Sequence, residues 1–158
     1  MKRGTIYLAG PIANTDAGDA FEWRGQAAVI LHDLGYAVLN PLRGKVELKG
    51  QAIGDDCNEF VDKGPFYTPK GILSRDYNDV KRSDIVLANL WGTEYLSAGT
   101  AMEFAWTHAF QIPTVVIIEP DGSNPHDKHP MIHAAIGWRN TKLADAIFTL
   151  DTIMGGAR

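Results

Sequence analysis

Ile85-Val86-Leu87-Ala88-Asn89-Leu90-Trp91, followed after a short polar break by Ser97-Ala98-Gly99-Thr100-Ala101-Met102-Glu103, is the stretch that decides the fold. The first run is almost continuously apolar, which predicts a buried strand. After the break, Phe104, Ala105, Ala109 and Phe110 recur at helical spacing, so a helix is expected from Gly99 or Thr100 to about Gln111. A strand passing into a helix marks a crossover, and open α/β sheets bind ligands above such crossovers, at the carboxyl ends of the strands. Glu103 is then expected in the first helical turn, where exposed N–H groups favour an ionised carboxylate. An anionic glutamate at the mouth of a cleft is a candidate nucleophile. Thr100-x-x-Glu103 equally fits a capping box, in which the pair only closes the helix end.

The flanking chain extends the same alternation. Thr5 to Ala9 reads as a strand ended by Gly10-Pro11, and a polar loop follows from Ala13 to Asp19. Ala27, Ile30, Leu31 and Leu34 mark one face of a helix closed by Gly35, and Tyr36 to Leu39 is a second strand. These three elements form a βαβ unit, whose strands should be parallel with a right-handed crossover. A helix is expected from Ile72 to Arg82, with Ile72, Leu73 and Val80 inward and Arg75, Asn78, Lys81 and Arg82 outward. Pro113 to Ile118 predicts a fourth strand, His129 or Pro130 to Ile136 a short helix, and Ala146 to Leu150 a fifth strand. Residues 42–70 lack periodicity and are expected to fold over the site as a flap, with a short helix around Asp55 to Val61. The expectation is an α/β fold: one domain over 1–158, a doubly wound, flavodoxin-like (Rossmann-like) five-stranded parallel sheet with helices on both faces.

Bulk properties narrow the function. A formal net charge of -4 argues against a nucleic-acid polymer or a membrane surface as partner. One cysteine, Cys57, allows no intramolecular disulfide and fits a reducing, cytoplasmic setting. No secretory leader is read at the N-terminus, and no apolar run reaches the roughly 20 residues of a membrane span. No glycine-rich phosphate loop follows the first strand. His126, Asp127, His129 and His133 sit close in sequence, but their spacing matches no standard ligand motif, so neither a metal nor a cofactor is expected.

Tyr7 near the end of the first strand, and Ser97 and Glu103 at the crossover, should converge on one sheet edge. Asp76 lies on the preceding helix, on neither its apolar stripe nor its basic side. A lone tyrosine in a strand usually packs, and a lone aspartate on a helix is usually a surface charge. Together, a phenol and two carboxylates suggest that one acid attacks while the other handles protons.

Ile6-Tyr7-Leu8-Ala9-Gly10-Pro11, Trp23-Arg24, Asp76 with the later Asp84, and Ser97-x-Gly99-Thr100-x-x-Glu103 occur in an order that resembles the nucleoside 2-deoxyribosyltransferases and the related 2'-deoxynucleoside 5'-phosphate N-hydrolases. The resemblance runs from residue 5 to about residue 135. It implies that Glu103 attacks the anomeric carbon of a 2'-deoxynucleoside, that a covalent deoxyribosyl-enzyme forms, and that a second base or water resolves it. It implies that Asp76 protonates the leaving base and that Tyr7 orients Glu103. Gly10, Ser97 and Gly99 would contact substrate, with Ser97 where transferases commonly have an aspartate and the monophosphate hydrolases a serine. His129 falls where the family places a residue from a neighbouring subunit, which implies a homodimer or higher homo-oligomer. The basic first-loop residues of the hydrolases are missing here, and the long second loop offers only Arg43 and Lys45 as base contacts. Small-molecule nucleosides and nucleobases are therefore the expected partners, in nucleotide salvage. The expected activity is transfer of deoxyribose between bases. The alternatives are N-glycoside hydrolysis of nucleosides or their 5'-monophosphates, and a non-catalytic nucleotide-binding module in which Glu103 only caps a helix.

Overall fold

The computed structural model describes residues 3–15, 17–54 and 56–156. Five strands form one parallel sheet: β1 (Thr5–Ala9), β2 (Ala37–Leu39), β3 (Ile85–Asn89), β4 (Thr114–Ile117) and β5 (Trp138–Asn140), in the order β2-β1-β3-β4-β5. Between them run the helices α1 (Ala17–Asp33), α2 (Pro69–Lys81), α3 (Ala98–Phe110), α4 (Pro125–Lys128) and α5 (Pro130–Ala135), and α6 (Leu143–Ile153) follows β5. This is the doubly wound, flavodoxin-like arrangement expected from the alternation. β1 is an interior strand, with Tyr7 opposite Leu39 on one side and Val86 on the other.

The two-residue period of the strands sorts side chains between two cores. Ile6, Leu8, Ile85, Leu87, Val115 and Ile117 pack against α1 and α6 through Ala27, Leu31, Ala146 and Leu150. Tyr7, Ala9, Val86, Ala88 and Val116 face the other way, toward Val80 of α2, Phe104 of α3 and Ile132 of α5. That parity matters for function. Tyr7 shares a face with α2 and α3, the helices that carry Asp76 and Glu103.

Three expectations are corrected. Residues 146–150 are not a strand; they lie inside α6, and Trp138–Asn140 supplies β5. Ala146, Ile147 and Leu150 are buried at i, i+1 and i+4 while Phe148 is 57% exposed, a helical pattern that a short β-branched run disguised. On α2, Ile72 and Leu73 are exposed and Arg75 turns inward, donating to the carbonyls of Arg43 (3.1 Å) and Pro41. That side of α2 meets the polar connection after β2 and not the sheet. On α1, Ile30 is exposed, while Ala27 and Leu31 of the anticipated stripe reach the core and Leu34 packs partly buried against it.

The connection over 42–70 contains single 3-10 turns at Val46–Leu48, Val61–Lys63 and Pro65–Tyr67, where one short helix around 55–61 was expected. Asp55 lies outside the described residues. Leu42, Leu48 and Tyr67 pack with Ala20 of α1 in a third, smaller apolar cluster, so the segment is laid over the start of α1 beside the strand ends. Among the described residues no helix is long and apolar enough to cross a membrane.

Candidate active site

The cap of α3 decides what Glu103 can do. Ser97, and not Thr100, is the N-cap: its Oγ accepts the backbone N–H of Thr100 at 3.2 Å. The helix therefore opens at Ala98, and Glu103 falls in its second turn, on the buried side, 8% exposed. It does not reach back to a helix-end N–H as a capping box requires. Its Oε1 accepts the Tyr7 hydroxyl at 2.6 Å, while Oε2 has no hydrogen-bond partner.

The expectation of an ordinary ionised carboxylate also fails. Burial pushes the Glu103 carboxyl up to about 8. The Tyr7 hydrogen bond opposes this, Asp76 adds to it, and the Arg24 charge and the Gly10 backbone pull it down again. Tyr7 is fully buried, and burial first, then the Glu103 and Asp76 charges, raise its phenol well above the usual range. It stays a neutral donor.

Asp76 is brought to the same face but is not in contact with Glu103 by any hydrogen bond. Its carboxyl is raised chiefly by burial, against the pull of Arg75 and Lys45. Arg75 Nε lies 3.6 Å from Asp76 Oδ1. Lys45, almost fully buried, is lowered to about 8, mainly by burial and then by Arg75. The next turn of α2 carries Asp79, buried and paired with Arg43 (2.5 Å) and Arg82 (2.7 Å). Arg43 is thus held by Asp79, and Lys45 is the member of the anticipated pair that acts on Asp76.

A cleft of about 1360 Å³ opens at the carboxyl ends of β1 and β3. Its walls include Pro11, Asn89, Ser97 and Gly99 at the strand ends, Trp23 of α1, and Trp91 and Tyr95 of the β3–α3 loop. Tyr7, Asp76 and Glu103 do not line it. Pro11, which follows Gly10, and Ala98 and Gly99 at the start of α3 do line it. Gly10 makes a close approach possible: its φ is +138°, and a Cβ there would sit 2.5 Å from the carbonyl oxygen of Asn89. At Gly99 the nearest atom to a Cβ would be Ser97 Oγ at 4.0 Å, so that position faces open space. His129 is exposed and does not line this cleft.

Two contributors carried no role in the sequence reading. His126 is fully buried; its Nε2 accepts the Ser97 backbone N–H at 3.0 Å, and its Nδ1 donates to Asn124 Oδ1 at 3.1 Å. Burial lowers its pKa, which keeps the ring in this neutral tautomer. Asn124 in turn donates to Leu90 O (2.7 Å) and Glu119 Oε2 (2.8 Å), so the loop after β4 clamps the β3–α3 loop. The other is Arg24, visible in the sequence only as part of the Trp23-Arg24 pair. Of the remaining histidine-loop residues, Asp127 is occupied by Arg139 (2.7 and 2.9 Å) and His133 (2.7 Å). Among the described residues no group of three His, Cys, Asp or Glu side chains is placed to hold a metal ion.

Comparison with known proteins bears on the family and the fold. The family model described as nucleoside 2-deoxyribosyltransferase matches residues 6–135. A search of curated protein sequences returned no match. Among solved structures, the CMP N-glycosidase BcmB of Clostridium botulinum superimposes with a TM-score of 0.57 at 16% identity, over 94% of this chain and 98% of that one. BlsM superimposes at 0.61 and 15% identity, over 95% and 88%. The molybdenum cofactor carrier protein of Chlamydomonas reinhardtii does so at 0.61 and 17% identity, over 98% and 99%. At these identities the structural likenesses establish a shared fold, and a cofactor carrier and an N-glycosidase share it equally.

Proposed function

The chain belongs to the nucleoside 2-deoxyribosyltransferase family, and on that premise we propose that it cleaves the N-glycosidic bond of 2'-deoxynucleosides and transfers the deoxyribosyl group to another nucleobase. The observation that carries the reading is the Tyr7 hydroxyl 2.6 Å from the buried Glu103 carboxyl, in a fold whose cleft opens at the carboxyl edge of the sheet. Glu103 attacks C1' as the bond to the base breaks, forming a glycosyl ester through an oxocarbenium-like transition state. Asp76, whose carboxyl burial shifts toward the protonated form, delivers a proton to the leaving nitrogen. The incoming base attacks the same carbon, loses its proton to Asp76 and releases Glu103. Tyr7 donates to the carboxylate whenever Glu103 is free and anionic, which opposes the penalty of burial.

The cleft wall supports an unphosphorylated donor. Asp19, Glu22, Asp56 and Glu94 line it, and no Lys, Arg or His is among its described lining residues. A 5'-phosphate would enter a negative field. Trp23, Trp91 and Tyr95 offer ring faces to a base. Hydrolysis is the second reading, favoured by the breadth of the cleft, which leaves room for water to resolve the ester. His129, exposed and outside the cleft of its own chain, is assigned to the cleft of a second copy in a homodimer. Exposed, unpaired Cys57 fits a cytoplasmic setting.

The test is chromatography of products from 2'-deoxyinosine plus adenine, run beside a panel of deoxynucleosides and their 5'-monophosphates. A new deoxynucleoside is the expected result. Free base without exchange makes the protein a hydrolase, turnover of monophosphates alone refutes the charge argument, and no turnover leaves a binding module.

A further inference from the structure

Arg24 is fully buried, the largest side chain so placed among the described residues. Removing a guanidinium from water is costly, and buried charges normally sit against an opposite charge. Arg24 does not: none of the ion pairs between described residues includes it. Its NH2 donates to the carbonyl of Gly10 at 2.8 Å, its NH1 to that of Ala20 at 2.9 Å, and its Nε has no partner. One face lies over the Trp23 ring, 4.6 Å from the centroid. An apolar residue would fill this space at lower cost. What the charge gains is long-range: Glu103, Tyr7 and Asp76 all act on Arg24, and Arg24 is the cation that acts on Glu103.

We propose that Arg24 is a positioning residue for the reaction: it fixes the Gly10 turn beside Glu103 and supplies the buried positive charge that favours the anionic form of the nucleophile. This rests on the nucleophilic role of Glu103 given above. The groups that face Glu103 are Tyr7 on β1, Gly10 in the turn, Arg24 on α1 and Asp76 on α2. Asp76 and burial favour the protonated, unreactive form. Tyr7, Arg24 and the Gly10 backbone favour the anion. Arg24 contributes twice, through its charge and through Gly10, whose carbonyl it grips and whose left-handed φ only glycine adopts readily. The same guanidinium backs Trp23, a wall of the cleft, so substrate seated there leaves this contact dry and its electrostatics strong.

The experiment compares wild type with Arg24→Met by carbon-13 titration of the glutamate carboxyls, the Glu103 signal being assigned with Glu103→Gln, and by kcat/KM against pH. In Arg24→Met the Glu103 midpoint should rise by about one unit or more. Turnover should fall about tenfold on the acidic limb and recover as pH is raised. Arg24→Lys, which keeps the charge, should restore most of the wild-type midpoint. An unchanged midpoint, or an equal loss of turnover at every pH, would make Arg24 a structural strut and overturn the proposal. Arg24→Gln, still able to donate to one carbonyl, serves if the methionine variant does not fold. The titration needs no turnover, so failure of the enzymatic reading and failure of this one are read separately.

Discussion

Glu103→Gln should remove activity and at the same time reverse a pH-dependent weakness of the fold. In the native chain the Glu103 carboxyl is raised from 4.5 to about 8, by burial above all. Between those values the folded state holds a proton that the unfolded chain has released, so stability is full below about pH 4.5 and falls as pH rises toward 8. Each unit is worth about 1.4 kcal/mol, and the loss accumulated by pH 7 is roughly 3 kcal/mol. At 8% exposure little of this is screened by solvent. Glutamine cannot ionise, and its carbonyl can accept the Tyr7 hydroxyl that now lies 2.6 Å from Oε1. Any cost of its unpaired amide is the same at every pH. The stability difference should therefore move in the mutant's favour by roughly 3 kcal/mol between pH 4.5 and 7, which for a chain of this length is about 6–12 °C in Tm. Urea unfolding of both proteins from pH 4.5 to 9 at fixed ionic strength reads this directly. A difference that does not vary with pH would refute the assignment of a buried, raised carboxyl to Glu103, whatever happens to turnover.

Tyr7→Phe keeps the ring in its core but deletes a charge-assisted donor worth about 1.5–3 kcal/mol, so the acidic limb of kcat/KM should move up by roughly one to two units. Asp76→Asn should lower kcat by about 10²–10⁴ with ordinary donors, and by much less with N7-alkylated purine deoxynucleosides, whose cationic base departs without a proton; equal losses with both would remove Asp76 from the acid role. His126→Ala orphans the Ser97 N–H and opens a cavity, costing about 2–4 kcal/mol in urea unfolding and raising KM more than it lowers kcat. Gly10→Ala forces a Cβ to within 2.5 Å of the Asn89 carbonyl oxygen at a φ of +138°; a loss of about 1–3 kcal/mol with a disproportionate loss of turnover is expected, checked by thermal unfolding beside the exchange assay.

Local pattern determined a good deal of this protein. The alternation of apolar runs with helical spacing carried the first four strands, the parallel sheet and its doubly wound class, because burial on two faces and on one stripe leave distinct periods in the chain. The order of short motifs around Tyr7, Asp76 and Glu103 carried the family. Pattern misled where burial depended on what else arrived. Ala146 to Leu150 reads as a strand until the third residue of the run, Phe148, is found facing solvent on α6. Arg75 reads as an outward cation until the residues before 44 fold back to offer it carbonyls. The chemistry was decided at the same level. The sequence offered Thr100 as the cap; in the fold Ser97 closes α3, and that leaves Glu103 to meet Tyr7 and not to end a helix. Whether a carboxyl titrates near its usual value or at about 8 depends on how much water its neighbours exclude and on a guanidinium from another helix. Periodicity is a property of a few adjacent residues; desolvation and charge at a point sum over elements far apart in the chain, and only their packing brings those terms together.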